Sequence, residues 1–538
     1  MSHVRYLCRL LLIIGFFLSP ALLIGQQKNI LWITAEDLSP HFSFYGDSIV
    51  STPNLDRLAA EGVTYTRAFA TYGVCAPSRH SIIMGMYPTT TGAGAMRTWK
   101  RTSAIKDIKD TALLNIPVYE ATPPSEAKCF TEYLRANGFF CTNNAKTDYQ
   151  FAPPITAWDE NGKQAHWRNR PSPQMPFFSV FNFEVTHESK IHNPPSPEVT
   201  DPAEIRVPPY YPDTEIVRED IAHHYDNIAT LDAQIGELLK QLETEDLLDE
   251  TIIFFFGDHG DGLPRAKRWV YDSGIQVPLV IRYPEAKEAG TRVDELVSFV
   301  DFAPTVLSLC NIEIPQHMQG LAFLGEQKTA SRSYIYAFRD RMDPAVETIR
   351  AVRNKRYKYI CNYRPELPYI GFIPYRDRMK MMQEILARMD AGTLEPTQWQ
   401  FSAQIKPLEE LYDTKQDPHE IKNLVEDPTH QQILEELRIA LADFQRKYVD
   451  LGLIPEKELI KILWPPNGKQ PVTPNPVITI RDQKVHLSCQ AEGASIAYQL
   501  NEEGRWLLYT EPFAAANAQI IVTQAIRLGW KPSQMVIR

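Results

Sequence analysis

Three short apolar runs mark the first half of the chain, and each gives way to polar residues at its carboxyl end. Asn29-Ile-Leu-Trp-Ile-Thr34 stops at Ala35-Glu36-Asp37, and Phe177-Phe-Ser-Val-Phe-Asn182 is soon followed by His187. Thr251-Ile-Ile-Phe-Phe-Phe256 runs into Gly257-Asp258-His259-Gly260. Continuous apolar runs of this length predict strands buried on both faces. Residues 54–61 and 220–243 carry apolar positions three and four apart, the helical period. Strands alternating with helices predict an α/β sheet whose functional groups gather at the carboxyl ends of the strands.

The texture changes near residue 350. Arg350-Ala-Val-Arg-Asn-Lys-Arg-Tyr-Lys-Tyr-Ile360 alternates like an exposed strand, 376–389 reads as an amphipathic helix, and 431–448 as a longer one. A proline-rich linker, Trp464-Pro-Pro-Asn-Gly-Lys-Gln-Pro-Val-Thr-Pro-Asn-Pro476, follows. Beyond it, short alternating runs separated by turn signals predict a small β-sandwich over 475–538. No repeat is visible. The expected division is a leader over 1–25, a catalytic unit over 26–350, a C-terminal subdomain over 351–462 and the sandwich module.

The leader is read from Arg5 and Arg9, the apolar run 10–24 and a small residue at Gly25. That run falls short of the ~20 apolar residues that span a bilayer, so cleavage and a secreted or periplasmic location are expected over a membrane anchor. With 538 residues, 44% of them hydrophobic and 23% charged, the chain can bury an ample core, and wholesale disorder is excluded. A formal net charge of −10 excludes a bulk basic field for nucleic acid. No metal-type spacing such as C-x-x-C occurs among the cysteines. Cys129 and Cys141 lie close enough in sequence to pair, but buried thiols are the default expectation.

The informative pentapeptide is Cys75-Ala-Pro-Ser-Arg79. Pro77 suits the first turn of a helix, which places residue 75 at a helix N-terminus, a ready anion site. The segment resembles the C-x-P-S-R signature of the type I sulfatases, in which the Cys is oxidised to formylglycine by a maturation enzyme. The likeness runs from about residue 28 to 430. It implies an alkaline-phosphatase-like sheet sandwiched by helices, a smaller α+β subdomain and hydrolysis of sulfate from a sugar. An aldehyde hydrate at residue 75 offers one hydroxyl to attack sulfur and a second whose collapse expels sulfate.

The resemblance also assigns roles. Glu36-Asp37 and Asp258-His259 stand where the family carries ligands to a divalent cation, most often Ca2+, which also meets residue 75. Arg79, Lys146 and Lys267 match residues that fix sulfate oxygens. His187, or Lys267, would protonate the leaving oxygen or nitrogen. Three departures stand out: Glu36 replaces the usual Asp, Met84-Gly85 replaces Thr-Gly, and Asp148 takes the place of a second active-site His. A supporting role is expected of Asp148.

For the substrate, Arg97-Thr-Trp-Lys-Arg101 and His166-Trp-Arg-Asn-Arg170 place Arg97, Lys100, Arg101, Arg168 and Arg170 beside Trp, a pairing suited to a sulfated sugar. The opening segment looks most like N-sulfoglucosamine sulfohydrolases of heparan-type glycans. The alternative is an O-sulfatase of glycosaminoglycan or algal polysaccharide fragments. A non-catalytic sulfoglycan-binding protein is the rival from another class, with the departure at Asp148 its only support. A phosphoesterase of the same superfamily would use Ser or Thr as nucleophile, against Cys75.

Overall fold

The computed structural model describes residues 28–99, 111–193, 197–501, 504–514 and 520–538. The leader, Lys100 and Arg101 lie outside the described residues. Among the described residues, no helix is long and apolar enough to cross a membrane.

Nine strands make the main sheet: β1 (Asn29–Ala35), β2 (Val63–Phe69), β3 (Phe140–Asn144), β4 (Glu160–Asn161), β5 (Phe177–Phe183), β6 (Thr251–Gly257), β7 (Gln276–Arg282), β8 (Thr291–Val293) and β9 (Val297–Ser298). Their order is β4-β3-β5-β1-β6-β7-β2-β8, with β9 also on β2. The three runs singled out in the sequence are the central neighbours β5, β1 and β6, all parallel. Only β7 runs against its neighbours.

Why those runs are so largely apolar is plain from the two layers. Ile30 and Trp32 of β1, with Phe254 and Phe256 of β6, pack on one face beneath the helices Phe130–Ala136 and Phe302–Leu309. Leu31, Ile33, Ile253 and Phe255 face the other side. There the helix Glu215–Thr244 lays down Ile221, Ile228, Leu231, Ile235, Leu238 and Leu242, spaced three, four and seven apart. Because side chains alternate faces and both faces are covered, these strands are apolar almost to their ends. Ser179, in the middle of β5, is buried and paired with the Thr142 hydroxyl at 2.8 Å.

A second sheet, all antiparallel, holds β10 (Ile335–Arg339), β11 (Ile349–Arg353), β12 (Tyr357–Asn362) and β13 (Glu409–Asp413). The helix Gln431–Lys447 covers it through Leu434, Leu437 and Leu441. One sequence expectation changes here. The stretch 350–360 is not one exposed strand but a buried hairpin, β11–β12. Its charged residues go inward because partners await them: Arg350 meets Asp340 and Asp450, and Arg353 meets Asp272.

Seven further strands, β14 (Val477–Arg481), β15 (Lys484–Ser488), β16 (Ser495–Leu500), β17 (Leu507–Leu508), β18 (Phe513–Ala514), β19 (Ile521–Ile526) and β20 (Val536–Ile537), form two small sheets. Val485, Leu487, Ile496, Ile521 and Ala525 fill the space between them. This module is docked by polar contacts with the helix Phe130–Ala136 and its approach. Lys128 reaches Ser495 Oγ at 2.7 Å, Arg135 reaches Trp506 O at 2.6 Å, and Ser495 donates to Glu132. Tyr509 packs into the module's own core. Cys129 and Cys141 are unpaired, buried thiols, as are Cys75 and Cys310.

His80, on the helix Cys75–Met84, is fully buried and neutral by its partners. Its Nδ1 meets the Tyr149 carbonyl at 2.9 Å, so Nδ1 carries the proton, while Nε2 accepts from Thr91 Oγ1 at 2.8 Å. Burial holds its pKa down, to about 4, against ~6.5 in an unfolded chain. Between those values the unfolded chain binds a proton that the folded one refuses, so stability falls as pH drops from about 6.5 to about 4. The loss is on the order of 3 kcal/mol. Urea denaturation across this range should show that slope, and His80→Gln should flatten it; an unchanged slope would remove His80 as its cause.

Candidate functional site

The register of the sheet builds the site. Ala35 lies opposite Gly257 in the parallel β1–β6 pair, so the residues that leave both strands, Glu36-Asp37 and Asp258-His259, emerge side by side. Backbone bonds stitch the two exits: Asp258 N to Ala35 O at 2.8 Å, and Leu38 N to His259 O at 3.0 Å. The Asp37 amide donates to Asp258 Oδ1 at 3.0 Å. The approach is so close at Gly257 that a Cβ there would lie 2.4 Å from the Leu38 carbonyl oxygen.

Cys75 opens the helix Cys75–Met84, every residue of which is buried. Its Sγ lies 3.3 Å from His259 Nε2, 3.7 Å from Glu36 Oε2 and 3.9 Å from Asp37 Oδ1. One turn along, Arg79 donates from Nε to Asp258 Oδ2 (3.1 Å) and from Nη1 to Asn182 Oδ1 (2.7 Å), and pairs with Glu36. Lys146 pairs with the other Glu36 oxygen. Lys267 Nζ reaches Asp37 Oδ2 at 2.5 Å, and His259 Nε2 lies 3.0 Å from Asp37 Oδ1. His187 faces the same cluster and hydrogen-bonds Ser189 Oγ through Nδ1 at 2.9 Å. The structure thus brings Glu36, Asp37, Cys75, Arg79, Lys146, His187, Asp258, His259 and Lys267 into one place.

Burial and crowding set the charges. Burial alone would raise every carboxyl here, but Lys146 and Arg79 hold Glu36 well below the ordinary range, and Lys267 and His187 do the same for Asp37. Asp258 goes the other way, pushed up to about 7 by its own burial and by the neighbouring Glu36. His259, against its burial, is held well above its ordinary value by Asp258 and Asp37. Lys146 and Lys267 overcome the burial of Cys75 and lower its thiol. Negative charge is crowded enough that one carboxyl gives way.

That crowding is the test of whether a cation fits. Glu36, Asp37, Cys75 and His187 each bring a donor atom within 4.8 Å of the others, as do Cys75, Asp258 and His259. Buried carboxylate oxygens in this number suit a hard divalent cation, so the residues present fit one.

Other expected residues lie elsewhere. Asp148 pairs with Arg97 (3.2 Å), which together with Lys146 holds its carboxyl down against burial. Arg168 and Arg170 are not brought to this place. Arg168 is taken by Glu245, and Arg170 lies over Phe177 at the opposite end of β5, roughly 16 Å along the strand from Asn182. Lys100 and Arg101 fall outside the described residues.

Sequence reasoning missed Asn182, Glu188 and Arg268. Glu188 accepts both arms of Arg268 at 3.0 and 2.9 Å, and its amide donates to Asp37 Oδ2 at 2.7 Å. Each is a sequence neighbour of something noticed: Asn182 ends the β5 run, Glu188 follows His187, Arg268 follows Lys267. Adjacency was the only available signal.

Comparison with known proteins identifies the family. A family model described as sulfatase matches residues 28–312, and one described as the C-terminal region of N-sulphoglucosamine sulphohydrolase matches 260–387. An ulvan-active sulfatase of Formosa agariphila is 43% identical over 95% of this chain and 91% of its own. The human N-sulphoglucosamine sulphohydrolase is 26% identical over 81% of this chain and 92% of its own. Among solved structures, a 2-O GAG sulfatase superposes with a TM-score of 0.56 at 20% identity, covering 79% of this chain and 93% of that one. A phosphonate monoester hydrolase of Agrobacterium radiobacter gives 0.55 at 16% identity, with 79% and 97% covered, so the fold alone does not choose the reaction. The family match and the 43% identical relative do: the chain belongs to the type I sulfatase family and is a sulfatase.

Proposed function

We propose that the enzyme removes sulfate from a sulfated polysaccharide of the ulvan kind, using residue 75 as formylglycine and one bound Ca2+. The observation that carries the mechanism is the convergence on Cys75 Sγ of His259 and of two buried carboxylates, Glu36 and Asp37, each paired with a lysine. The substrate class rests on the 43% identical ulvan-active relative, matched over nearly the whole of both chains. N-sulfoglucosamine is the second reading, favoured by the C-terminal family match and the 26% identical sulphohydrolase.

In this reading Glu36, Asp37, Asp258 and His259 would hold the cation, which would supply neutralisation of sulfate charge and a lowered pKa for the nucleophilic hydroxyl. As formylglycine, residue 75 would supply that hydroxyl from its aldehyde hydrate, and loss of the second hydroxyl's proton would re-form the aldehyde as the bond from carbon to the sulfate oxygen breaks. Arg79, Lys146 and Lys267 hold sulfate oxygens and stabilise the growing charge. His187 delivers the proton to the leaving group, with Lys267 the alternative donor. Asp148 fixes Arg97 at the rim, where that guanidinium is placed to meet the sugar. The leader 1–25 directs export to the periplasm or beyond, and a formylglycine-generating enzyme acts on the chain first. The catalytic unit over 26–350, the subdomain over 351–462 and the module over 475–538 complete the layout.

Conversion of residue 75 is checked by mass spectrometry of the 68–79 peptide. With it present, sulfate release is measured from ulvan oligosaccharides, glucosamine N-sulfate and glucosamine 6-O-sulfate. Release from ulvan alone is expected, and release only from the N-sulfate would replace the ulvan reading by the second. Cys75→Ala should abolish turnover while leaving substrate binding, and chelation should remove activity that added Ca2+ restores. A separate expectation concerns the support beneath Lys267. Glu188→Gln strands Arg268 in the interior, and should lower stability by about 3 kcal/mol and slow turnover. Equal urea midpoints for variant and parent would show that the pair carries no such burden.

A further inference from the structure

The loops that leave β1 and β6 carry a second constellation behind the first. Four residues beyond Asp37, His41 Nε2 lies 2.7 Å from Asp261 Oδ2, and two residues beyond His259, Asp261 Oδ1 lies 3.2 Å from Nε2 of His224. His224 comes from the helix Glu215–Thr244, and the two imidazoles are set edge to face, their centroids 5.9 Å apart at 85°. The three donor atoms all lie within 4.8 Å of one another and open on a cavity of about 230 Å³. None of these residues enters the chemistry at Cys75.

We propose that His41, His224 and Asp261 form a second metal site, one for zinc or a similar nitrogen-preferring divalent ion. Two imidazoles and one carboxylate suit such an ion, whereas calcium takes six to eight oxygens. Bonds of 2.0–2.1 Å in a tetrahedron set donors about 3.3 Å apart. The His224–Asp261 contact already stands at 3.2 Å, and the His41–Asp261 contact of 2.7 Å must lengthen by about 0.6 Å to admit an ion. The cavity supplies the fourth position to water.

Two of the three donors, on His41 and Asp261, carry further hydrogen bonds of the kind that orient metal ligands. Asp47 Oδ2 lies 3.0 Å from His41 Nδ1 and accepts from Tyr225 Oη at 2.6 Å, which fixes the ring with Nε2 toward Asp261. Asp261 is held by the Ser39 amide at 2.9 Å and its own amide bonds Ser39 Oγ at 3.1 Å. His224 is buried, with Nδ1 free of any protein partner. Arg206 and Arg265 line the same cavity. Arg265 is spent on the Tyr210 and Tyr271 rings, 4.2 and 4.0 Å away, and on the Glu420 carbonyl. A metal here joins the β1 loop, the β6 loop and the long helix, clamping from behind the two segments that present Glu36-Asp37 and Asp258-His259.

The test is metal uptake by the full mature chain, independent of which sugar it desulfates. Chelator-treated protein is titrated with Co2+ for the visible absorption of a tetrahedral nitrogen site, and with Zn2+ followed by elemental analysis. The parent and Asp258→Asn, which disables the candidate Ca2+ site, should both take one zinc equivalent and give the absorption. His224→Gln, and separately the more exposed His41→Gln, should weaken zinc by at least ten-fold and lose the absorption, with circular dichroism confirming the fold of each. Zinc uptake unchanged in both histidine variants, or none by the parent, overturns the site.

Discussion

Three carboxyl groups, Glu36, Asp37 and Asp258, stand with no exposure at the ends of two adjacent parallel strands, crowded around one thiol. Charges taken out of water persist only when paired, and much of the surrounding architecture supplies the pairing. Arg79 comes from a helix one turn beyond Cys75, Lys146 from the far side of β3, and Lys267 from the segment between β6 and β7. Behind Lys267, Glu188 and Arg268 form a second ring of compensation. The apolar sheet beneath is what makes this possible. It holds β1 and β6 in a register from which the four residues cannot diverge.

The same interior explains the second sheet. Arg350, Arg353 and Lys358 are buried where strand residues would ordinarily be apolar, each met by Asp or Glu from another segment. Asp272 receives both Arg353 and Lys358, so the loop before β7 is tied to β11 and β12 by charge rather than by hydrophobic contact alone. Removing one partner of such a group leaves the other stranded, so these positions are held jointly.

What could be read from the chain followed from where the information is local. The strands β1, β5 and β6 announce themselves because burial on both faces leaves an unbroken apolar signature. Cys75 and Arg79 are legible because Cys75-Ala-Pro-Ser-Arg79 resembles the type I sulfatase signature, and Glu36-Asp37 and Asp258-His259 because each pair directly ends such a strand and falls in that family's order. The hairpin β11–β12 was misread because its arginines look solvent-directed until Asp272, Asp340 and Asp450, distant in sequence, are brought to them. Arg168 and Arg170 were misplaced for a related reason. Proximity to Trp167 says nothing about which end of β5 the loop serves. Asn182 and Glu188 depend on register, and composition carries no trace of register.

The helix that begins at Cys75 has no residue at the surface, and the thiol itself has no exposure. An enzyme that must grip several residues on either side of this sulfur to alter it has nothing to grip once the sheet has closed over the helix. The order of events is therefore fixed by geometry: any enzymatic change at residue 75 comes while the segment is still an open chain. The folded protein then keeps residue 75 in whatever state it had when the sheet closed over it.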